Sequence, residues 1–362
     1  MRAAARRPSP SVLGRIGLLL FLVSGRAWAG PVELDGLLDL GLVLDTSGLH
    51  GDNGARTDRR VAGLTTQVLD RLPVLNVLSL GARLTLGGFH ARLALAGGNG
   101  INVLHTPNPA LPSPSPAWRY FLEANAGYTI PVGRGLTIDA GIFPSYIGYE
   151  SYLTRDNWGA THSWLAELSP FYQTGVRIGY PLTQRLNLLV LWLNGWNLID
   201  QDHGFRSGGA QLAWNADIVS AAVNLFIGPA RPGDLRHVRW FGDLWARITP
   251  LKYLQFAVSV DGGLDPRPDG AGNDTWYGVA AYLRLQPLSW FAVSVRAGLY
   301  DDTDSGLLTG LPQRLTEASL TSEFRVHFWV VRLEGRLDRS TGAKFDGQTG
   351  RELFVLSWVG GF

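Results

Sequence analysis

Residues 118–143 read WRYFLEANAGYTIPVGRGLTIDAGIF and hold two alternating segments joined by a Pro/Gly turn. Apolar residues occupy every second position from Tyr120 to Ile130, and the alternation resumes at Leu136, after residues 131–135. Because successive side chains of an extended strand leave opposite faces, a period of two predicts strands. The five-residue connection predicts that the two strands form an antiparallel hairpin.

The apolar face of this hairpin has a tyrosine near each end of its first strand. Tyr120 and Tyr128 are eight residues apart, which is roughly 26 Å along a strand at about 3.3 Å per residue. At a tilt of about 40° this becomes roughly 20 Å of height, close to the apolar band of about 25 Å between the aromatic girdles of an outer-membrane barrel. The spacing therefore favours a face that meets lipid over the buried side of a soluble sheet.

The composition excludes several kinds of site and suits a barrel. The chain has no Cys, which excludes a disulfide framework, a thiolate metal site and a Cys nucleophile. Charged residues make up 17% of its 362 residues, while 45 are Gly. Few charges and many glycines favour strands with tight turns over a helical protein.

Residues 1–29 have the features of a secretory signal. A basic start precedes an apolar run at 16–23, and Ala27-Trp28-Ala29 matches the small-residue cleavage pattern. The run is far shorter than the about 20 residues of a spanning helix. We expect removal of 1–29, with 30–362 as one mature outer-membrane β-barrel. The signal holds five of the 32 basic residues and none of the 30 acids, so the remainder is slightly acidic and gives no indication of nucleic-acid binding.

The alternation continues along the chain and predicts an all-β fold, a transmembrane antiparallel up-and-down barrel of about sixteen strands, with fourteen to eighteen as the range. Connections after even-numbered strands are short and those after odd-numbered strands are long, which is typical of periplasmic turns and extracellular loops. The predicted strands span 31–45, 75–86, 89–95, 120–130, 136–142, 171–180, 186–196, 209–216, 218–228, 237–248, 254–261, 275–285, 291–300, 314–326, 328–337 and 351–362.

The last strand carries the most specific local pattern. Phe354, Leu356, Trp358, Gly360 and Phe362 alternate up to a carboxy-terminal aromatic residue. This ending resembles the signature that the barrel-assembly machinery of the outer membrane recognises.

A second resemblance covers about a sixth of the chain. The stretches AGIFPSYIGYES and NWGATHSWLAELSPFYQTGVRIGYPLTQRLNLLVLWLNGWN, between Ala140 and Asn197, resemble the OmpL-like beta-barrel porins. They share an Asn-Trp loop, a Pro-Phe-Tyr-x-Thr-Gly-Val strand and a later Asn-Gly-Trp. The resemblance implies an outer-membrane porin and supplies no catalytic residues.

The charged residues on the non-lipid face are the candidate functional residues, because a dry core would not tolerate so many. A water-filled lumen would, and its charges would set solute selectivity. The predicted pore-lining residues are Arg83, Arg92, Arg119, Glu123, Asp139, Arg177, Arg239, Asp243, Arg247, Asp261, Arg284, Arg296, Glu317, Glu323, Arg325, Arg332, Glu334 and Arg336.

The long connection at 145–169 has two interpretations of equal weight. In general porins the loop after the fifth strand folds inward as a constriction, and by that analogy the constriction residues are Tyr146, Tyr149, Glu150, Arg155, Asp156 and Trp158. The alternative is an ordinary extracellular cap.

Two further kinds of site have weaker support. His162, Ser163 and Glu167 lie close in sequence, as the residues of a barrel lipase or protease would in space, but sequence proximity is poor evidence for a triad. Acid-rich loops at 265–274 and 301–306 resemble calcium loops without the final bidentate Glu. We expect solvated acids there, and no metal or cofactor.

The sequence thus predicts a passive diffusion channel for small hydrophilic solutes or ions in the bacterial outer membrane, reached by export through the inner membrane. The alternatives are a barrel enzyme and a non-conducting structural barrel. Expected partners are outer-membrane lipid and lipopolysaccharide, the assembly machinery through Phe362, small solutes and, as one option, a homotrimer.

Overall fold

Sixteen strands follow one another along the chain and close into a barrel. In the computed structural model, which describes residues 30–47, 60–105, 116–199, 207–231 and 234–362, each strand pairs antiparallel with the next and the last pairs with the first. The predicted sixteen-strand barrel is confirmed. The strands are β1 Val32–Asp45, β2 Pro73–Leu86, β3 Phe89–Gly97, β4 Phe121–Ile130, β5 Leu136–Pro144, β6 Tyr172–Pro181, β7 Leu186–Leu193, β8 Ser207–Asn215, β9 Val219–Pro229, β10 Val238–Leu251, β11 Leu254–Pro266, β12 Asn273–Leu288, β13 Phe291–Asp302, β14 Gln313–Val326, β15 Trp329–Ser340 and β16 Gly350–Gly361.

Closure joins the two ends of the described chain. Leu38 lies opposite Gly360 and Leu44 opposite Phe354 in the β1–β16 register. The Phe362 amide donates to the Gly36 carbonyl at 3.1 Å, and the Gly36 amide donates to the Phe362 carbonyl at 3.3 Å. Every sheet edge is therefore paired, which a spanning β-structure requires in lipid.

Short turns stand at one end of the barrel and long connections at the other. The β2–β3 turn is Gly87-Gly88, whereas β5 and β6 are separated by residues 145–171. The described parts of the long connections include two α-helices, α1 Asn99–Leu104 and the single-turn α2 Trp164–Glu167. No helix among the described residues is long and apolar enough to span a membrane.

The outer face is apolar and bounded by two aromatic bands. In β12 the burial alternates residue by residue, with the outward side chains exposed and the inward ones buried. Exposed aromatic side chains near the turn end are Phe89, Tyr128, Trp214, Tyr253 and Trp290, and those near the loop end are Tyr120, Trp192, Trp240, Tyr277 and Phe354. Two such girdles around an apolar band are typical of a lipid-facing barrel surface.

The alternation reverses where the chain turns inward between β5 and β6. Gly141 has φ +130°, and a Cβ there would lie 2.1 Å from the Ala124 carbonyl oxygen, so this backbone conformation needs glycine. Beyond it Ile142 is buried, and Tyr172 is buried at the facing start of β6. Alternation continued strictly along β5 and β6 predicts both side chains on the lipid face, and for these two residues the prediction is wrong.

A charged substitution on the lipid-facing side of β14 should destabilise the barrel. Leu320 is 55% exposed and lies opposite Val295 and Gly335. Leu320→Arg should lower the free energy of unfolding by about 2–4 kcal/mol, because a charge near the bilayer midplane loses its hydration. Urea unfolding in lipid vesicles, followed by tryptophan fluorescence, measures this. Leu320→Phe is the control and should remain close to wild type; equal stability of all three proteins would contradict a lipid-facing Leu320.

Candidate functional site: the lumen and the segment inside it

Residues 145–171, here called the lumen segment, fold into the barrel. Tyr146, Ile147 and Trp164 from the segment share one buried cluster with Leu191 and Leu193 of β7 and with aromatic residues of β9, β10, β12 and β13. This packing explains why Leu189, Leu191 and Leu193 occupy the inner face of β7, where a water-filled lumen would favour polar residues. They contact protein inside the barrel.

Arginines of the barrel wall donate hydrogen bonds to carbonyl oxygens of the lumen segment. Arg332 on β15 donates to the carbonyl of Thr154 and to that of Asn157, both at 2.8 Å. Arg296 on β13 donates to the Thr161 carbonyl at 2.6 Å. Because the guanidinium is planar and carries five donors, one side chain satisfies several backbone oxygens that have no strand partner.

Carboxylates of the wall accept from the same segment at other points. Glu334 accepts from the Ala160 amide at 2.6 Å, and Asp338 accepts from the Trp164 indole at 3.0 Å. Across the lumen, Asp243 on β10 accepts from the Gly148 amide at 3.0 Å. Asp39 on β1 accepts from the Thr154 hydroxyl at 2.6 Å. The segment is thus held by strands on several sides of the barrel.

The wall charges behind the segment are paired with each other. Glu323 lies between Arg284 at 2.6 Å and Arg332 at 2.8 Å. Arg336 joins Glu317 at 2.7 Å to Asp338 at 2.9 Å. Removing one partner of such a buried pair leaves an uncompensated charge, which costs about 3–5 kcal/mol. The network therefore stabilises both the barrel wall and the lumen segment that packs against it.

Most of the predicted pore-lining residues are covered rather than exposed to the lumen. Those with at most 6% exposure are Asp139, Arg239, Asp243, Asp261, Arg284, Arg296, Glu317, Glu323, Arg332, Glu334 and Arg336. Arg92, Glu123 and Arg177 are partly exposed, and Arg83, Arg247 and Arg325 are exposed. Arg119 lies in a 3₁₀ helix, Pro116–Tyr120, just before β4, because the strand begins later than its alternation indicated.

The six predicted constriction residues all lie in the lumen segment and take different positions. The Tyr146 hydroxyl donates to the Leu225 carbonyl at 2.6 Å, and burial raises the pKa of this phenol. Tyr149 packs edge-on against Trp158. The Glu150 carboxylate lies 3.2 Å from Arg296, while Arg155 and Asp156 are exposed.

A cavity of about 590 Å³ lies between the lumen segment and the β1–β4 wall. It extends from Glu33 and Arg83 near the turn end to His105, directly after α1. Its charged lining residues are Glu33, Asp35, Glu123, Glu150, Asp156, Arg83, Arg92 and Arg155. Arg92 is hydrogen-bonded to Asp35 and lies 3.3 Å from Glu123, so it is the one arginine of the set held between two wall carboxylates.

Several cavity residues were missing from the prediction. Glu33 and Asp35 alternate with apolar residues of β1. The alternation that predicted an inward Arg83 therefore predicts that these two side chains face inward as well. His105, Tyr152 and Phe171 come from long connections, where no periodicity indicates direction. Burial lowers the pKa of His105 to about 4, so this ring is neutral at pH 7.

His162, Ser163 and Glu167 form hydrogen bonds that hold the lumen segment together. The Ser163 hydroxyl caps α2 by accepting from the Ala166 amide at 3.2 Å. His162 Nδ1 lies 3.3 Å from Glu167, and Nε2 lies 3.0 Å from the Ser151 carbonyl. Both nitrogens of this fully buried ring face acceptors, so it fits best as an imidazolium. No ring nitrogen is left as a base for a serine.

The acid-rich loops are engaged in ion pairs and local hydrogen bonds. Arg231 lies 3.0 Å from Asp265, and Asp302 accepts from the amides of Leu308 and Thr309. Within the described part of the chain, no group of three or more His, Asp or Glu side chains is arranged for a metal ion.

Arg332 provides a test of the wall network. Arg332→Ala should lower the free energy of unfolding by about 1–3 kcal/mol for each buried carbonyl that loses its donor. It should also speed amide exchange at 154–157, because the Thr154 and Asn157 carbonyls lose Arg332, while Glu323 keeps Arg284 and Arg325. Urea unfolding and hydrogen-exchange mass spectrometry measure the two effects. Arg325→Ala is the matched control: it also contacts Glu323 at 2.7 Å but is 46% exposed, and should cost under about 1 kcal/mol. Equal losses in the two variants would contradict this assignment.

The environment of His162 predicts that the stability of the lumen segment depends on pH. Burial lowers the pKa of His162, but the Glu167 and Glu150 carboxylates outweigh burial and Arg296, so the pKa is raised above its usual value. A raised folded-state pKa stabilises the protein below about pH 6.5, and this contribution is lost as pH rises through the raised pKa. Exchange at 151–167, corrected for intrinsic rates, should accelerate in wild type as pH rises above about 6.5 through the raised pKa, and should change less in His162→Gln. Faster exchange in wild type on lowering the pH below 6.5 would contradict the raised pKa.

Comparison with known proteins identifies the family. The family model described as "Putative beta-barrel porin-2, OmpL-like" matches residues 31–359, and no curated protein matches. An anion-selective porin from Comamonas acidovorans is 12% identical with a TM-score of 0.59, covering 91% of this chain and 99% of that one. The outer-membrane channel DcaP of Acinetobacter baumannii is 12% identical with a TM-score of 0.60, covering 94% and 100%. OmpT of Vibrio cholerae is 9% identical with a TM-score of 0.58, covering 93% and 100%. At these identities the likeness concerns the fold, while the family match decides membership: the chain belongs to the OmpL-like beta-barrel porins of the outer membrane.

Proposed function

We propose that this porin is a passive diffusion channel in which small hydrophilic solutes pass between the lumen segment and the β1–β4 wall. The observation that carries the proposal is the cavity of about 590 Å³ on that side of the barrel. The wall from β10 to β16 carries the paired charges and the lumen segment that rests on them.

The height of the cavity supports a route rather than a surface dimple. Arg83 lies three residues from the end of β2 at the turn end, and His105 directly follows α1 at the loop end. Ser79 and Arg83 are four positions apart on β2, so these lining side chains alone span about 13 Å of strand. A solute on this path meets charged groups over a substantial part of the barrel height.

The charge of the lining favours cations. Five carboxylates, Glu33, Asp35, Glu123, Glu150 and Asp156, stand against three arginines, Arg83, Arg92 and Arg155. Burial holds the pKa of His105 at about 4, so it adds no charge at neutral pH. A ring of net negative charge raises the local concentration of cations and sets selectivity at close range.

We also propose that residues 1–29 are an export signal cleaved after Ala29, and that the assembly machinery recognises the Phe362 end. The A-x-A pattern supports the first, and the alternating last strand supports the second. Lipopolysaccharide around the outer half and a homotrimer are further proposals for partners, for which the lipid-facing girdles are compatible surfaces.

An enzyme is the second candidate class, and the geometry of the strongest constellation does not favour it. His162 is fully buried with both ring nitrogens facing acceptors, and Ser163 serves as a helix cap. A hydrolytic site needs a free base beside the nucleophile. The described residues at this point of the barrel therefore support a structural role.

Planar-bilayer recordings test the channel and its selectivity. Folded wild-type protein should conduct, and its reversal potential in a KCl gradient should have the sign of a cation preference. The double variant Asp35→Asn, Glu123→Gln should shift the reversal potential toward zero or the anion side, since two carboxylates leave the path and Arg92 is freed. Asp269→Asn, an exposed loop acid, is the control and should leave it unchanged. Absence of current from the folded barrel would contradict the proposal that it is a channel. Anion preference in wild type would contradict the proposal that solutes pass along the acid-lined cavity.

A further inference from the structure

The cavity beside the β1–β4 wall is open toward the turn end and covered at the loop end. Glu33 and Arg83 line it near the turns and are exposed. Leu104 and Tyr172 line it at the loop end, where only 2% and 3% of their surfaces are exposed. The exposure of the lining therefore falls along the barrel, from the turn end to the loop end.

Five residues cover the loop end of the cavity, and we call them the loop-end cap. They are Leu104 at the end of α1, His105 directly after it, Tyr152 and Phe171 of the lumen segment, and Tyr172 of β6. Each is at most 8% exposed. All but His105 belong to one buried apolar cluster that also includes residues of β1, β2, β3, β5 and β16. The cap is thus part of a continuous apolar layer between the barrel wall and the lumen segment.

Aromatic contacts hold the cap together. The ring centroids of His105 and Tyr172 are 4.9 Å apart, and those of Tyr152 and Phe171 are 5.4 Å apart in an edge-on arrangement. Such pairs add packing energy beyond the apolar area that they bury. The Tyr172 hydroxyl donates to the Asn197 carbonyl at 3.0 Å, so this phenol is also fixed by a hydrogen bond.

The helix α1 lies in close contact with the lumen segment. A Cβ at Gly100 would lie 2.9 Å from the Tyr152 hydroxyl and 2.9 Å from the Asn76 carbonyl oxygen, so a larger residue there would displace its neighbours. Leu104 joins α1 to the cap by apolar packing, whereas Arg332 of the wall holds the lumen segment by hydrogen bonds. We expect α1 to be the side of the cap that moves, because apolar contacts alone resist local opening less.

We propose that the loop-end cap decides which solutes cross the barrel, and that Leu104 is its specificity-determining residue. This role rests on the proposed channel, whose route ends at the cap. An apolar constriction excludes water and ions by dewetting, so a solute passes only when α1 separates from the lumen segment. The acids of the cavity then act on the charge of a solute, and the cap acts on its size.

Planar-bilayer conductance of the folded barrel in symmetric KCl tests the proposal. Leu104→Asn places a polar side chain of similar size in the cap. It should raise the conductance at least about twofold over wild type, because a polar constriction stays wet. Leu153→Asn is the matched control. Leu153 also lines the cavity and packs against the same apolar cluster, but lies outside the cap, so this variant should conduct like wild type.

The possible results separate the cap from the channel. Conduction by Leu104→Asn that exceeds wild type, including conduction where wild type has none, supports the cap. Equal conductance in wild type and Leu104→Asn, or an equal rise in Leu153→Asn, would overturn the cap and leave the channel in place. No current from any of the three folded proteins would contradict the channel itself.

Liposome swelling measures the size limit with a second variant. His105→Ala removes the ring that packs on Tyr172 and does not depend on the folding of Leu104→Asn. Entry of a neutral trisaccharide, relative to a monosaccharide, should be faster through His105→Ala than through wild type. An unchanged ratio in the folded variant would mean that the narrowest part of the route lies elsewhere, and would overturn the cap.

Discussion

The arrangement of this barrel depends on hydrogen bonds from wall arginines to carbonyl oxygens of a segment with no strand partners. A chain segment inside a lumen has backbone carbonyls without strand partners, and buried arginines need hydrogen-bond acceptors. The arginines donate to these carbonyls, so both requirements are met by the same hydrogen bonds. Arg332 satisfies Thr154 and Asn157, and Arg296 satisfies Thr161. The lumen segment is therefore part of the barrel interior.

The distribution of charge decides where the open space remains. The wall from β10 to β16 carries the dense arginine–carboxylate network, so the segment rests there. The β1–β4 wall carries fewer charges, of which Arg92 is shared between Asp35 and Glu123. The cavity of about 590 Å³ lies on this side, and in the proposed channel its acids, rather than the buried arginines, set the solute preference.

The sequence predicted what depends on local periodicity. Strand number, closure, turns and the lipid face follow from alternation, because a strand reports its two faces every second residue. Burial of the inner charges depends on contacts far apart in the chain, such as Trp164 with Asp338, and no local pattern contains them. Two sequence features agree with this burial once the structure is known: the leucines of β7 on the inner face and the aromatic residues of the lumen segment. Gly141 shows the limit of alternation, since one left-handed residue turned Ile142 inward.

Cysteine labelling tests the seated segment most directly, because the chain has no cysteine of its own. Glu123→Cys places a thiol in the cavity, and Ser319→Cys places one on the inner wall of β14, where Ser319 is 6% exposed. A small cationic thiol reagent, added during bilayer recording, should react with the first and reduce its current while leaving the second unmodified. Equal labelling of both positions would mean that the lumen segment does not cover the β10–β16 wall, and would contradict this account of the barrel.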